Sequence, residues 1–345
     1  MNKYPVPYFD SSQFRNMMFN ALILNENETG ISASVDQLTL DDLPDDGDVL
    51  VDVSHSSINY KDALAVTNRG KIIRAPYPFV PGIDLVGSVI ESDSGQFHPG
   101  EMVIGTGGGL GETRWGGYAG IQRVRSEWLI PLPDAFTPRE AMIIGTAGLT
   151  AALSLITLEK WGVGGEGDTI VVTGATGGVG SFAVLLLSKA GYRVSASTGK
   201  NDAREYLELL GAKEVLHRDR LSGGASRPLD SAKWSGAIDT VGGKTLEAVI
   251  SQTGKHGCIA ACGNAGGAEL HTSVFPFILR GVTLSGIDSN TCPLPLRTMA
   301  WERLASLVTS AELERMSITV TLPEIEEQSK RLLDGEVTGR TLVEI

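Results

Sequence analysis

Ala175, Gly177 and Gly180 stand at the spacing G-x-G-x-x-G, with alanine at the first place. Residues so spaced serve a pyrophosphate. Gly177 lets the anion approach the backbone, Gly180 lets a helix pack closely on a strand, and free N–H groups at the helix start hold the charge. In a chain with 42 glycines the spacing alone is weak, so the flanking elements decide. Ile170 to Thr173 is a β-branched run suited to a strand buried on both faces. Val179, Phe182, Ala183, Leu186 and Leu187 then form one stripe of a helix packed on a sheet, and a second strand is expected at Arg193 to Thr198. In that context Ala175, Thr176, Gly177, Gly178, Val179 and Gly180 read as a dinucleotide-binding turn.

The end of the second strand speaks to which dinucleotide. An NAD site usually places Asp or Glu about 20 residues beyond the glycines, on the ribose 2′-hydroxyl. Here Ser197, Thr198, Gly199 and Lys200 offer hydroxyls and a cation without a carboxylate. That set suits a 2′-phosphate, so NADPH is the expected cofactor; a merely solvated lysine is the plainer alternative for Lys200.

The elements around this turn are regular. Strands near Val215 and at Ala237 to Val241, Cys258 to Cys262 and Thr283 to Ile287 join the first two, with a helix from Asn201 to a stop at Gly211. Six strands alternating with helices predict a doubly wound parallel sheet, an α/β Rossmann domain spanning residues 148–288. Before it, short segments at Phe19 to Leu24, Val49 to Ser54, Leu85 to Ser92 and Met102 to Gly105 suggest a partly closed antiparallel barrel, and Ala141 to Leu158 turns helical. After it come a helix at Met299 to Leu307, a strand at Ile318 to Val320, a helix at Ile325 to Leu333 and a last strand at Thr341 to Ile345. This tail is expected to complete the first domain, giving 18–147 with 289–345, and the substrate cleft is expected between the two domains. Residues 1–17 read as an arm to which no function is given.

Composition agrees with a globular enzyme: 345 residues, 42% hydrophobic and 20% charged. A formal net charge of −12 argues against nucleic acid or an anionic membrane as partner. No stretch is judged long enough to cross a bilayer, and no signal peptide is read. Cys258, Cys262 and Cys292 show no metal or disulfide spacing. A reduced, cytoplasmic protein is expected. His55, His98 and His217 are isolated and suggest neither a triad nor a metal set.

PGIDLVGSV (Pro81 to Val89), GTAGLTA (Gly145 to Ala151), TGATGGVG (Thr173 to Gly180) and the closing TGRTLVEI resemble the medium-chain dehydrogenase/reductase superfamily, on its zinc-free, quinone-oxidoreductase-like side. The resemblance covers nearly the whole chain and implies a GroES-like barrel as the catalytic domain. Zinc-dependent relatives have His and Glu after the glycine that corresponds to Gly82, and an early cysteine. Here Ile83 and Asp84 follow Gly82 and Asn59 and Tyr60 hold the early place, so no catalytic metal is expected. SSINYKDAL (Ser56 to Leu64), GETRWGGYA (Gly111 to Ala119) and SGIDS with a following Cys-Pro and Arg297 resemble the NADPH-dependent acryloyl-CoA reductase branch. Fold alone would not choose that substrate.

That branch implies hydride transfer to the β-carbon of an enoyl thioester and protonation at the α-carbon, with charge gathering on the carbonyl oxygen. Tyr60 and Asn59 are the candidate hydrogen-bonding or proton-donating groups, and Asp62 is expected to orient them; a packed aromatic at the barrel edge is the alternative for Tyr60. Thr150 and Asn264 are placed at the nicotinamide by the resemblance. Arg218, Asp288 and Ser289 join the cofactor set, and Arg340 could reach the cofactor or a substrate phosphate. A CoA substrate would draw on Arg69, Lys71, Arg74 and Arg114, with Trp115 stacking on adenine or the pantetheine arm. Each of these could equally be a surface or loop residue. Relatives often carry His where Arg114 stands, which leaves the acyl group open. The resemblance also implies a homodimer paired through Phe275 to Ile287. The competing readings are a quinone or alkenal reductase, whose substrates need no phosphate handle, and a non-catalytic NADPH-binding protein.

Overall fold

Runs such as VLVDVS, in which alternate residues are apolar, put one face of a strand against a core and leave the other open. In the computed structural model, which describes residues 17–28, 30–163 and 168–345, such runs build the first of two units, made of the chain up to Thr146 together with Ser310–Ile345. Its elements are β1 (Phe19–Asn27), β2 (Gly30–Leu38), β3 (Val49–Ile58), α1 (Tyr60–Val66), β4 (Asp84–Ser92), β5 (Met102–Thr106), β6 (Ile121–Val124), β7 (Leu129–Pro131) and the start of the long helix α2 (Pro138–Lys160), which breaks at Gly145 and from Ala147 belongs to the second unit.

The second unit, Ala147–Thr309, holds β8 (Thr169–Thr173), α3 (Gly178–Lys189), β9 (Arg193–Thr198), α4 (Arg204–Leu209), β10 (Glu214–His217) and α5 (Asp219–Ser222). It continues through β11 (Trp234–Asp239), α6 (Gly243–Gln252), β12 (Thr253–Ala261), α7 (Phe275–Arg280), β13 (Thr283–Gly286) and α8 (Leu294–Leu307). The chain then returns with α9 (Ser310–Arg315), β14 (Ser317–Thr321), α10 (Ile325–Leu333) and β15 (Arg340–Glu344).

In the second unit the six strands run parallel in the order β10-β9-β8-β11-β12-β13, the doubly wound order expected from the alternation. Ile170, Val171 and Val172 are wholly buried, as a central parallel strand demands. In the first unit a seven-stranded sheet runs β14-β15-β3-β4-β5-β7, with β6 on β3, and β1 and β2 pair apart from it. The closing strand β15 lies antiparallel to β3, which sets Thr341 opposite Ile58. That pairing brings the C-terminus to the start of α1.

Several expectations change. The boundary after Asp288 moves to Thr309: α8 packs on α3, Arg303 reaches Glu159 at 2.6 Å and Trp301 and Leu304 are buried, so residues 289–309 belong to the second unit. Within the expected pairing segment Phe275 to Ile287, α7 precedes β13, the strand expected at Thr283 to Ile287. The polar edge strand β2 went unread because its burial alternates only between half-buried and exposed positions. By length and composition α2 passes as a membrane span, yet 83% of its most apolar window is buried within the protein, the position of a core helix. The proposed arm lies outside the described residues apart from Met17.

Candidate functional site

The phosphate-holding turn is built almost entirely of backbone. β8 ends at Thr173, and Gly174 takes φ +59°, the left-handed region where glycine is at home. Ala175, read above as the first place of the motif, follows this positive-φ glycine directly. Ala175 is fully buried and its N–H donates to Ser197 O at 3.0 Å, so alanine there costs nothing. A methyl group on residue 180 would lie 2.7 Å from Ala175 Cα and closer still to the Gly174 carbonyl oxygen, so helix and strand meet only because position 180 has no side chain. At Gly177, the residue before α3, such a methyl would meet only Gly174 O, at 3.3 Å, which leaves the approach to the helix start open. Gly178 and Val179 form the first turn of α3, whose unpaired N–H groups can hold an anion.

At the end of β9, Thr198 Oγ1 meets Thr176 Oγ1 at 3.1 Å and accepts the Lys200 N–H at 3.1 Å. Ser197 and Thr198 are 2% and 4% exposed, so the accessible cations at this strand end are Lys200 and Arg218. The Arg218 guanidinium lies against Gly199, where any side chain on residue 199 would strike it at 2.5 to 2.7 Å. Two cations flanking a glycine, with no carboxylate on the strand end, suit a phosphate monoester.

Asp239, missed in the sequence, holds the turn's shape. It is fully buried at the end of β11, accepts from Thr173 Oγ1 at 2.7 Å and from Gly242 N at 2.7 Å, and burial raises its pKa. Its only sequence signal is an acid closing an apolar strand before the glycine pair Gly242–Gly243. Thr150 donates to Ser289 Oγ at 2.9 Å, which joins two expected cofactor residues. Asp288 instead caps its own loop, accepting from Asn290 N at 2.9 Å and Thr291 N at 3.1 Å, and Asn264 is exposed in a turn.

In the first unit the expected catalytic trio separates. Tyr60, the first residue of α1, is 43% exposed. Asn59 and Asp62, expected beside it as reacting and orienting groups, are 8% and 1% exposed. Asn59 Nδ2 donates to Asp84 at 2.8 Å and Asp62 at 3.2 Å while its Oδ1 accepts from Arg340 at 3.1 Å, so both ends of this amide, expected to meet a reacting group, are engaged within the fold. Asp62 accepts the N–H groups of Asn59 and Ile83, both at 2.9 Å, pinning α1 to the Gly82 turn. Burial first, and then the neighbouring Asp84, push its carboxyl up to about 7.

Arg340 is likewise engaged within the fold. It is 2% exposed, with Nε donating to Ile143 O at 2.8 Å, Nη1 to Ile58 O at 3.2 Å and Nη2 to Ser57 Oγ at 2.8 Å. Ser57 passes the contact on to Asp84 at 2.6 Å, so the 3.9 Å separation of Arg340 and Asp84 is bridged by a hydroxyl. Thr146 N at 2.9 Å and Thr146 Oγ1 at 2.5 Å complete the coordination of Asp84. Tyr118, wholly buried, donates to Ser57 O at 3.1 Å.

The cations expected to meet substrate phosphates are unequal. Arg69 pairs with Asp334 at 2.6 Å, both half exposed, and Arg114 pairs with Asp46. Arg74 binds the buried Glu112 at 2.6 Å. Trp115 is half buried and, with Arg114, lines a depression of about 180 Å³.

Comparison with known proteins agrees with this architecture. The alcohol dehydrogenase GroES-like domain family matches residues 45–134, and the zinc-binding dehydrogenase family matches residues 178–310. The chain is 47% identical over 325 residues to the probable acrylyl-CoA reductase AcuI of Escherichia coli, covering 94% of this chain and 99% of that one. It is 43% identical over 329 residues to the putative quinone oxidoreductase YhfP of Bacillus subtilis, covering 95% and 99%. Among solved structures, the yhdH oxidoreductase of Salmonella enterica in complex with NADP superimposes with a TM-score of 0.92 at 47% identity, covering 95% of this chain and 100% of that one. B. subtilis YhfP with NAD bound gives 0.91 at 42% identity, covering 96% and 100%.

The zinc in that family description does not fit the residues here. Ile83 cannot ligate, both oxygens of Asp84 are occupied by the donors above, and among the described residues no three His, Cys, Asp or Glu side chains gather as a metal site. With a doubly wound cofactor unit, a GroES-like unit and near-complete coverage by relatives at 43 to 47% identity, the chain belongs to the medium-chain dehydrogenase/reductase superfamily, in the quinone-oxidoreductase-like group that includes the acrylyl-CoA reductases.

Proposed function

We propose that the protein is an NADPH-dependent reductase of the activated carbon–carbon double bond of a short enoyl-CoA, acryloyl-CoA to propionyl-CoA, acting without zinc. The observation that carries the cofactor assignment is the strand end at Thr198, where Gly199 is flanked by Lys200 and Arg218 and no carboxylate competes for a 2′-phosphate. The Salmonella relative solved with NADP supports the same choice. The substrate class rests on the E. coli relative, named a probable acrylyl-CoA reductase.

When bound, the nicotinamide supplies a hydride to the substrate β-carbon. The chain supplies the rest. The turn from Gly174 to Gly180 and the start of α3 hold the pyrophosphate; Lys200 and Arg218 hold the 2′-phosphate. Tyr60 presents the phenol hydroxyl that hydrogen-bonds the carbonyl oxygen as charge gathers there, or returns a proton to the α-carbon. Asn59, Asp62 and Arg340 act through Tyr60 as positioning residues, since they fix the residue before it and the helix it begins.

A quinone or alkenal reductase is the second reading, favoured by the Bacillus relative named for quinones and solved with NAD. Steady-state rates with acryloyl-CoA, crotonyl-CoA and a benzoquinone, each with NADPH and with NADH, decide between them. Faster turnover of the quinone, or no preference for NADPH, would overturn the first reading. Tight NADPH binding without turnover of any activated alkene would favour a non-catalytic role. We place the protein in the cytoplasm as a homodimer. The pairing is supported by α7, where Phe275, Ile278 and Leu279 are 46%, 68% and 59% exposed beside the edge strand β13. Ile278→Glu should convert the dimer to monomer in sedimentation.

A further inference from the structure

Glu112 is a buried carboxylate, 5% exposed at its side chain, and each of its oxygens carries a different cation. Lys61 Nζ lies 2.6 Å from Oε1 and Arg74 Nη2 lies 2.6 Å from Oε2. The Arg74 N–H also donates to Glu112 O at 2.7 Å, so that arginine is fixed at both ends. The two cations stay in contact with solvent, their side chains 37% and 66% exposed. One buried acid therefore holds two cations side by side and leaves an excess of one positive charge, in a chain whose net charge is −12. The neighbouring pairs Arg69–Asp334 and Arg114–Asp46 are balanced, one charge against one.

Two further features mark this place. Lys61 directly follows Tyr60 on α1. The residues after Arg74 and Glu112, namely Ala75 and Thr113, line the depression of about 180 Å³ whose apolar walls are Trp115, Pro44, Pro76 and Phe79. Prealigned cations beside an indole and apolar walls are what an adenine nucleotide needs: charge for its phosphate oxygens and a flat surface for its base.

We infer that Lys61 and Arg74, held on Glu112, form the subsite for the nucleotide phosphates of the acyl-thioester substrate, with the base against Trp115. This rests on the acyl-CoA reading above. It replaces the looser expectation of four separate cations with one defined pair, adding Lys61 and the buried acid that sets it.

The test compares acryloyl-CoA with the acryloyl thioester of N-acetylcysteamine, which has the same reacting atoms and no nucleotide. The ratio of kcat/KM for the two should fall about tenfold in Arg74→Gln and in Lys61→Gln, and Arg74→Lys should recover part of it. An unchanged ratio in both Gln variants would overturn the subsite. If the wild-type protein reduces neither thioester, the reductase reading has failed and the subsite is measured alone. Calorimetry with adenosine 3′,5′-bisphosphate, NADPH being present to fill its own site, then decides: binding weakened about tenfold by Arg74→Gln sustains it, and equal binding or none overturns it.

Discussion

The two units prepare their chemistry by opposite means. In the second, the turn from Gly174 to Gly180 is a shape of the main chain, made by what its residues lack. In the first, the ground beneath Tyr60 is a web of buried side chains, with Ser57, Asn59, Asp62, Asp84, Tyr118 and Arg340 satisfying one another. A backbone site fails by steric filling and is indifferent to pH. A side-chain web fails by losing one partner and stranding another.

The sharpest break of that contrast is steric. Gly180→Val should abolish NADPH binding, raising Kd at least about a hundredfold in a fluorescence titration, because the side chain drives α3 off β8. Gly177→Ala should keep the fold, its melting temperature nearly unchanged, and weaken binding far less. Equal effects of the two would mean that the turn is not read through its backbone.

Next in size is the web. Arg340→Ala leaves Asp84 and Asn59 without their cation in a dry interior and should cost about 3–5 kcal/mol in urea unfolding. Arg69→Ala, at the exposed pair with Asp334, should cost under about 1 kcal/mol. Similar losses would show that the web is no more coupled than the surface.

Smaller is the cofactor preference. Lys200→Ala and Arg218→Ala should each raise KM for NADPH about tenfold, equivalent to about 1.4 kcal/mol, and leave KM for NADH nearly alone. Parallel rises for both nucleotides would refute the 2′-phosphate assignment.

A further test of the web is the pH dependence of stability. The Asp62 carboxyl is raised from 3.8 to about 7 in the folded protein. Between those values the folded state holds a proton that the unfolded chain has lost. Stability therefore falls as pH rises from about 4 to about 7, by up to about 1.4 kcal/mol per pH unit, and this contribution is flat above. Asp62→Asn removes the titration, so unfolding free energies measured from pH 4 to pH 8 should show a shallower slope than wild type. An identical slope would place the titrating group elsewhere.

Legibility followed the same divide. The alternation of strands and helices and the striped helix after the turn were readable, because each is written in a local period of apolar residues. Even there the spacing of Ala175, Gly177 and Gly180 is visible in the sequence, whereas the positive φ that marks Gly174 is not. The boundary near Asp288 was misplaced because it depends on which surface α8 packs against, and no local pattern records that.

The residues around Tyr60 show the limit most clearly. From sequence Asn59 and Arg340 looked like groups that could meet a ligand, and Asp62 like a group that orients its neighbours. Burial engages the donors and acceptors of all three within the fold, and of these residues and Tyr60 it is Tyr60 that stays exposed.

The amino-acid order by itself determined that this chain would form a nucleotide-binding parallel sheet and an antiparallel companion, since strand, turn and helix are set by neighbours a few residues apart. Which polar residues remain available for chemistry was decided only in three dimensions. The partners that occupy them, Ser57 with Arg340 or Lys61 with Glu112, are brought together by long-range packing that no local spacing encodes.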